Sequence, residues 1–512
     1  MKKFLKETWA FLIAVLIVIG SASGAQTPDV QASLRDFEAF AKKIVAEWKV
    51  PGLAVSIVKD GRVIYAGGFG LKDVKNGRPV TPHTIFAIGS CTKAFTATTM
   101  GILVDEGKLD WDKPVRTYLP SFKLYDPTAS EKMTPRDLVC HRSGLPRHDR
   151  VWYLSPLSRE ELFSRLQYLE PSRGFRAVYQ YQNLMFMTAG YLVEKIVGRP
   201  WEEFARRRIL EPLEMNETNF SVVDSQKAPD FALPYQEIKG QVEQIPFCNI
   251  DAIGPAGSIN SNVSDMAKWI LANLNKGRYG EKGDRRIIAE ATLAQLQSPQ
   301  MVVPDDLKYD EVFYPSYGMG WRITAYRGHL LVSHNGAIDG FSAAVWLMPR
   351  DNIGIVLLNN LDGTPANTIL AYNILDRLLG LTAVDWDQRT QAERAKSKQA
   401  AEKAKKERES GRKPNTQPSH PLESYAGIFE NPGYGALAIE KMGNELKAIY
   451  NSLTFSLRHY HYDFFEMTND FINFDELLSF GTDAKGEISS ASIKFEPAGN
   501  EIVFLRLPPV KI

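Results

Sequence analysis

Short β-rich runs stand at residues 53–58 and 63–66, joined by Asp60-Gly61, and the next such runs come only at 330–333, 343–347 and 353–358. Asp-Gly between apolar runs signals a hairpin, because both turn positions need positive φ. The long stretch between is patterned for helices. Strands at both ends with helices between predict one α+β domain, residues 30–382, whose termini meet in a single sheet. Leu34, Phe37, Ala41, Ile44 and Trp48 recur at helical spacing, which predicts an amphipathic helix over 31–48. Further helices are expected at 184–197, ended by Gly198, and at 365–379.

The pattern changes after Gly380. Residues 388–413 are rich in Ala, Lys, Glu, Arg and Gln and carry no large apolar side chain. A helix polar all round bridges domains or stays solvated, so residues 383–420 read as a charged helical linker, with 414–420 as its breaker. Glu393, Glu402, Glu407 and Glu409 interrupt the basic residues. Across the chain, 61 Lys and Arg face 60 Asp and Glu, so no basic field exists to hold nucleic acid. From residue 421 to 512 the sequence is all-β, with strand-like runs at 435–439, 445–450, 454–460, 464–468, 490–495 and 501–507. Evenly spaced short strands predict a small barrel. His459, Tyr460, His461 and Tyr462 read as barrel packing rather than as a ligand patch.

Lys2, Lys3 and Lys6 precede an apolar run at 9–19, and Ser23-Gly24-Ala25 follows it. This is the pattern of a signal peptide over 1–25, with export to a periplasm or the cell exterior; an uncleaved membrane anchor is the other reading. Cys91, Cys140 and Cys248 are odd in number and widely spaced, so they read as buried small residues. None of the eight histidines lies in a metal-binding motif. Neither a metal nor another cofactor is expected.

The chemistry centres on Ser90-Cys91-Thr92-Lys93. The same S-x-x-K spacing occurs at Ser56–Lys59 and Ser410–Lys413, so context decides. Ser56 lies in a predicted strand, where i and i+3 face opposite ways, and Ser410 lies in the linker. Ser90 follows Gly89 and opens an apolar helix, where Lys93 shares its face. Burial would hold that lysine neutral, fit to accept a proton from a nucleophilic serine. Tyr181-Gln182-Asn183 and His334-Asn335-Gly336 are the chain's single Y-x-N and H-x-G. A phenol beside a lysine can have its pKa lowered enough to relay protons, and Asn183 offers an amide to a substrate carbonyl. Gly336 would let substrate backbone lie close to a strand ending at residue 333. The N–H groups of Ser90 and Ala337 are candidates for an oxyanion hole.

The order S-x-x-K, Y-x-N, H-x-G resembles the serine β-lactamase and penicillin-binding-protein superfamily, in particular its class C branch. Ile88-Gly89-Ser90, the stretch 138–146 (LVCHRSGLP), Ala256-Gly257-Ser258 and the stretch 317–321 (YGMGW) add to the likeness, which covers roughly residues 30–380. Tyr425-Ala426-Gly427 and the stretch 431–435 (NPGYG) resemble the lipocalin-like domain that follows some of these hydrolases. The resemblance implies an antiparallel sheet flanked by helices, a helical subdomain, and acyl-enzyme chemistry on Ser90. Lys93 and Tyr181 would share the proton, with either as the acylation base, while Asn183 and His334 position a small peptide, ester or β-lactam. Related two-domain peptidases act on D-residues and assemble into closed oligomers, so a homo-oligomer through the C-terminal domain is implied. The family's S-D-N and K-T-G forms are absent, and His334 stands where β-lactamases carry a permanent lysine cation. This ranks a peptidase or amidase above an esterase, and both above a β-lactamase or D-Ala-D-Ala carboxypeptidase. A slowly acylated sensor without turnover is the reading from another class. The barrel would then shape access to the site.

Overall fold

The structure is a computed structural model that describes residues 30–304 and 308–508; the signal segment over 1–25 lies outside the described residues. An antiparallel sheet of nine strands forms the centre. Its order runs Met301–Val302, Val312–Tyr317, Arg322–Tyr326, His329–Ile338, Phe341–Met348, Ile353–Asn359, Gly52–Lys59, Arg62–Asp73, Arg78–Pro79. The first long strand thus pairs with the last, Leu53 opposite Asn359 and Val55 opposite Leu357, and the ends of the domain meet in one sheet.

Side-chain alternation divides the strand Gly52–Lys59 between two layers. Leu53, Val55 and Ile57 face the helices Phe37–Glu47 and Ala366–Leu378, while Ala54 and Val58 face the larger helical layer. Each aliphatic side chain fully buried there contributes about 1.5–3 kcal/mol. The first helix differs from the continuous element expected over 31–48. Val30–Ser33 and Phe37–Glu47 are separated by a turn in which Arg35 N–H donates to Ala32 O at 3.2 Å. On the far face, Thr92–Asp105 is buried around almost its whole circumference, packed against Asn183–Val197 and the short helix Gly254–Gly257.

The second unit is a closed antiparallel barrel of eight strands, from Gly427–Asn431 round to Ile502–Arg506. Two of its strands, Gly427–Asn431 and Phe474–Thr482, fall outside the runs expected from sequence. The second hides because Asp475 and Glu476 break up its apolar pattern, although Phe474, Leu478 and Phe480 all point inward. Phe429, Phe465, Phe480, Leu437 and Met467 fill the interior. Between the units runs the helix Trp386–Gly411. Trp386 stacks on Tyr372 at 4.3 Å, and Asp387 accepts from Trp48 Nε1 at 2.8 Å. At the other end Arg408 pairs with Asp475, and Tyr460 hydroxyl donates to Arg408 O. Tyr460 is buried and His461 Nδ1 accepts from Lys413 N–H, so this aromatic stretch packs against the connecting helix. No helix among the described residues is long and apolar enough to cross a membrane.

Candidate active site

Two glycines set the geometry of the nucleophile. Gly89 has φ +49°, and a Cβ there would lie 2.8 Å from Ala337 N. At Gly336 a Cβ would lie 1.9 Å from Ile88 O. The strand carrying His334 therefore runs hard against the turn Gly89–Cys91, which only glycine permits. That strand extends through Ile338 rather than ending at residue 333, because its pairing with Phe341–Met348 continues to Ile338 opposite Phe341. Its other neighbour stops at Arg322 opposite Ser333, and the serine turn occupies the vacated side. Gly336 thus admits the protein's own Ile88 backbone, not a substrate's. Ser90 and Ala337 both line a cleft of about 410 Å³.

Lys93 lies one helical turn beyond Ser90, fully buried. Its Nζ is 3.1 Å from Ser90 Oγ, 2.7 Å from Asn183 Oδ1 and 2.8 Å from Ala256 O. Burial, reinforced by the Arg147 cation, pushes its pKa well below the ordinary lysine value. The other two S-x-x-K matches form no such centre: Ser56 sits inside the strand Gly52–Lys59 and Ser410 near the end of the connecting helix.

Tyr181 corrects one expectation. Its hydroxyl is hydrogen-bonded to Ser90, but burial pushes its pKa up, outweighing the Ser90 bond and Arg147. Lys93 stands over the face of its ring, 4.8 Å from the centroid, with Arg147 5.0 Å from the same centroid. The phenol is therefore protonated at rest.

His334 is neutral. Burial and the nearby Lys93 push its pKa down to about 3. Its Nδ1 is 2.6 Å from Asn335 O, an obligate acceptor, so Nδ1 carries the proton and Nε2 accepts from Tyr317 hydroxyl at 2.9 Å. His141 holds the opposite tautomer, since its Nδ1 accepts from Gln182 N–H at 3.0 Å. Its ring packs 4.2 Å from that of Tyr181 and 4.5 Å from that of Tyr317. The resemblance had marked the stretches holding His141 and Tyr317 without giving either a role.

Asn183 is more committed than its sequence suggested. Its Oδ1 accepts from Lys93 and its Nδ2 donates to Asp149 Oδ1 at 3.0 Å. Arg147 Nε donates to Asp149 Oδ2 at 2.6 Å, and Trp152 Nε1 donates to Asp149 Oδ1 at 2.8 Å. Sequence reasoning missed Arg147 and Asp149; the one signal was their position just after the 138–146 stretch. The cleft is closed from the barrel side by Phe471, Ile472, Phe495, Glu496 and Pro497. It shares Gln236, Asp362 and Ile472 with a larger cavity of about 1250 Å³ beside the connecting helix. Cys91, Cys140 and Cys248 are buried and unpaired, and Cys91 Sγ donates to His334 O at 3.3 Å. Among the described residues no group of three or more His, Cys, Asp or Glu could hold a metal ion.

Comparison with known proteins bears on this geometry. A family model described as Beta-lactamase matches residues 37–379, and one described as a domain of unknown function, DUF3471, matches 411–506. The Unguisins hydrolase ungD' of Aspergillus campestris is 30% identical over 425 residues, covering 79% of this chain and 77% of its own. Protein flp of Staphylococcus aureus is 27% identical over 324 residues, covering 61% and 60%. The structure of the octameric penicillin-binding protein homologue from Pyrococcus abyssi superposes with a TM-score of 0.61 at 25% identity, covering 92% of this chain and 99% of that one.

Proposed function

The chain belongs to the beta-lactamase family and is a hydrolase of that fold, and we propose that it is an exported serine hydrolase that forms an acyl-enzyme on Ser90 and cleaves amide or ester bonds of small peptides or esters. The observation that carries this reading is the coordination of Lys93. A neutral amine has two N–H groups and one lone pair. Asn183 Oδ1 and Ala256 O can only accept, so they take the two N–H groups. The lone pair is left for the Ser90 hydroxyl at 3.1 Å. As Ser90 Oγ bonds to the substrate carbonyl carbon, its proton passes to Lys93. The N–H groups of Ser90 and Ala337 take the oxyanion. Tyr181, protonated and bonded to Ser90, passes a proton to the leaving amine or alcohol and is reprotonated through Lys93. Water then attacks the acyl carbon as its proton passes to the again neutral Lys93; the bond from that carbon to Ser90 Oγ breaks, Ser90 Oγ takes the proton back from Lys93, and the carboxylic acid leaves.

His334 supports the order of substrates. An uncharged imidazole offers a substrate carboxylate no ionic partner, and Arg147 is already paired with Asp149. β-Lactams, which carry a carboxylate, therefore rank below peptide amides, including those of D-residues, and below esters. The small cleft walled by the barrel favours short substrates. The barrel also exposes Ile428, Val503, Leu505 and Leu507 on adjoining strands, a face suited to a second copy of the chain.

Intact-protein mass spectrometry with a fluorophosphonate and a penicillin, alongside turnover of a D-aminoacyl nitroanilide, tests the reading. Rapid labelling by the fluorophosphonate with turnover of the nitroanilide is expected. Labelling by penicillin that never turns over would make the chain a sensor, and no labelling of Ser90 would remove the hydrolase mechanism.

A further inference from the structure

The barrel grips one loop of the catalytic domain along most of its length. His148 Nδ1 is 2.7 Å from Tyr434 hydroxyl. Glu496 Oε1 accepts from Asp149 N–H at 2.8 Å, and the same carboxylate takes the N–H of His148. Tyr450 hydroxyl and Asn451 Nδ2 donate to Arg150 O at 3.1 and 2.9 Å, and Asn451 Nδ2 also donates to Tyr153 O at 3.0 Å. Ser452 N–H donates to Leu154 O at 3.2 Å. The loop needs this grip, because His148 and Leu154 are non-glycine residues at φ +50°. Each such conformation costs about 1–3 kcal/mol. Seven bonds from the barrel, at about 0.5–1.5 kcal/mol each, are enough to offset it.

What the loop presents is Asp149, and Asp149 leads straight to the base. Its carboxylate holds Asn183 Nδ2, and Asn183 Oδ1 holds Lys93 Nζ, which faces Ser90. We propose that Glu496 of the barrel and Asp149 are positioning residues for the acylation centre, acting through Asn183 on the orientation and proton affinity of Lys93. This rests on Lys93 serving as the base, and it goes beyond a barrel that only limits access.

The direction of the effect follows from the charges around Lys93. Ser90, Asn183, the Ala256 carbonyl, Cys91, Tyr181, His141 and His334 surround it, and the loop adds Arg147 and Asp149. Arg147 pushes the Lys93 pKa down, while the Asp149 carboxylate pulls it up. Lys93 must be neutral to accept the Ser90 proton, so acylation fails as pH drops through its pKa. Loss of the Asp149 charge lowers that pKa and moves the acid limb to lower pH. Arg147→Met moves it to higher pH.

The experiment follows the pH dependence of fluorophosphonate labelling together with the ¹³C titration of Lys93 in lysine-labelled protein, its signal assigned by loss in Lys93→Met. Asp149→Asn keeps the acceptor for Asn183 but sets an N–H against the Arg147 donor, so its plateau should fall a few-fold while the limb and the titration move down. Glu496→Ala frees the loop, so its plateau should fall about 10- to 100-fold, as small misplacements of reacting groups do. Its limb should move in the same direction, and adding it to Asp149→Asn should move the limb no further. Glu496→Gln and Tyr434→Phe release only part of the grip and should give smaller shifts of the same sign, which keeps the test open if Glu496→Ala fails to fold. A Glu496→Ala protein with lowered melting temperature but unchanged limb and titration would overturn the proposal. Wild-type protein that is never labelled at Ser90 would instead remove the hydrolase reading, while the Lys93 titration would still report whether Glu496 and Asp149 act on it.

Discussion

On one side of the serine cleft, Ser90 and Lys93 sit in the turn and first coil of a helix buried almost all round, fixed by the close approach of Gly89 and Gly336. On the other side, Arg147, Asp149 and Tyr153 ride a loop with two non-glycine residues in left-handed backbone, held from outside by the barrel. The first wall takes its rigidity from its own core. The second borrows it across an interface from residues about 300 positions away in sequence. The nucleophile and base are therefore local in sequence, while the groups that tune them depend on both domains. A substitution in the first wall removes chemistry outright; one in the second changes how well and at what pH that chemistry runs.

The sharpest break of this contrast is Ser90→Ala. Ser90 Oγ bonds only to the catalytic groups, and Lys93 keeps Asn183 and Ala256 as partners. Labelling by a fluorophosphonate should vanish while the far-ultraviolet spectrum and melting temperature stay near wild type. Ser56→Ala, in the buried strand of the other S-x-x-K match, should leave labelling intact. Labelled Ser90→Ala would move the nucleophile elsewhere.

Tyr181→Phe comes next. The ring contacts with His141, Lys93 and Arg147 survive the loss of the hydroxyl. Turnover of a nitroanilide should fall by about two to four orders of magnitude, the usual cost of a missing general acid–base group. Turnover at the wild-type rate would make Tyr181 a packing residue of the first wall.

The same contrast explains what the sequence disclosed. The α+β fold could be read because the strand runs at its ends are strongly apolar and their partners lie in the same domain. Ser90 and Lys93 could be read because a helix puts i and i+3 on one face. The protonation of Tyr181 could not, since it depends on how completely the phenol is buried. Nor could the contact that needs Gly336, because the backbone of Ile88 lies far away in sequence. Asp149 and Glu496 carry no motif at all, and their meeting spans 347 positions and needs the barrel to be docked. The barrel strand Phe474–Thr482 escaped because Glu476 takes one of the inward positions between Phe474 and Leu478 and so interrupts the apolar alternation.

The smallest expected effect concerns His334, which belongs to the strand beside the first wall yet stands where β-lactamases carry a cation. With its pKa near 3, pushed down by burial and Lys93, the imidazole stays neutral throughout pH 5–8. A histidine with its ordinary pKa would titrate inside that window and leave an inflection in the acylation profile. Here the wild-type profile should show none from His334. Gln offers an N–H for Asn335 O and a carbonyl oxygen for Tyr317 hydroxyl, the same pair of roles the neutral ring fills. His334→Gln should therefore keep the shape of the profile, with the plateau changed by no more than a few-fold. An inflection between pH 6 and 7 that disappears in His334→Gln would mean the imidazole charges during the working range. The site would then possess a switchable cation, and a substrate carboxylate would rise to the front of the ranking at acid pH.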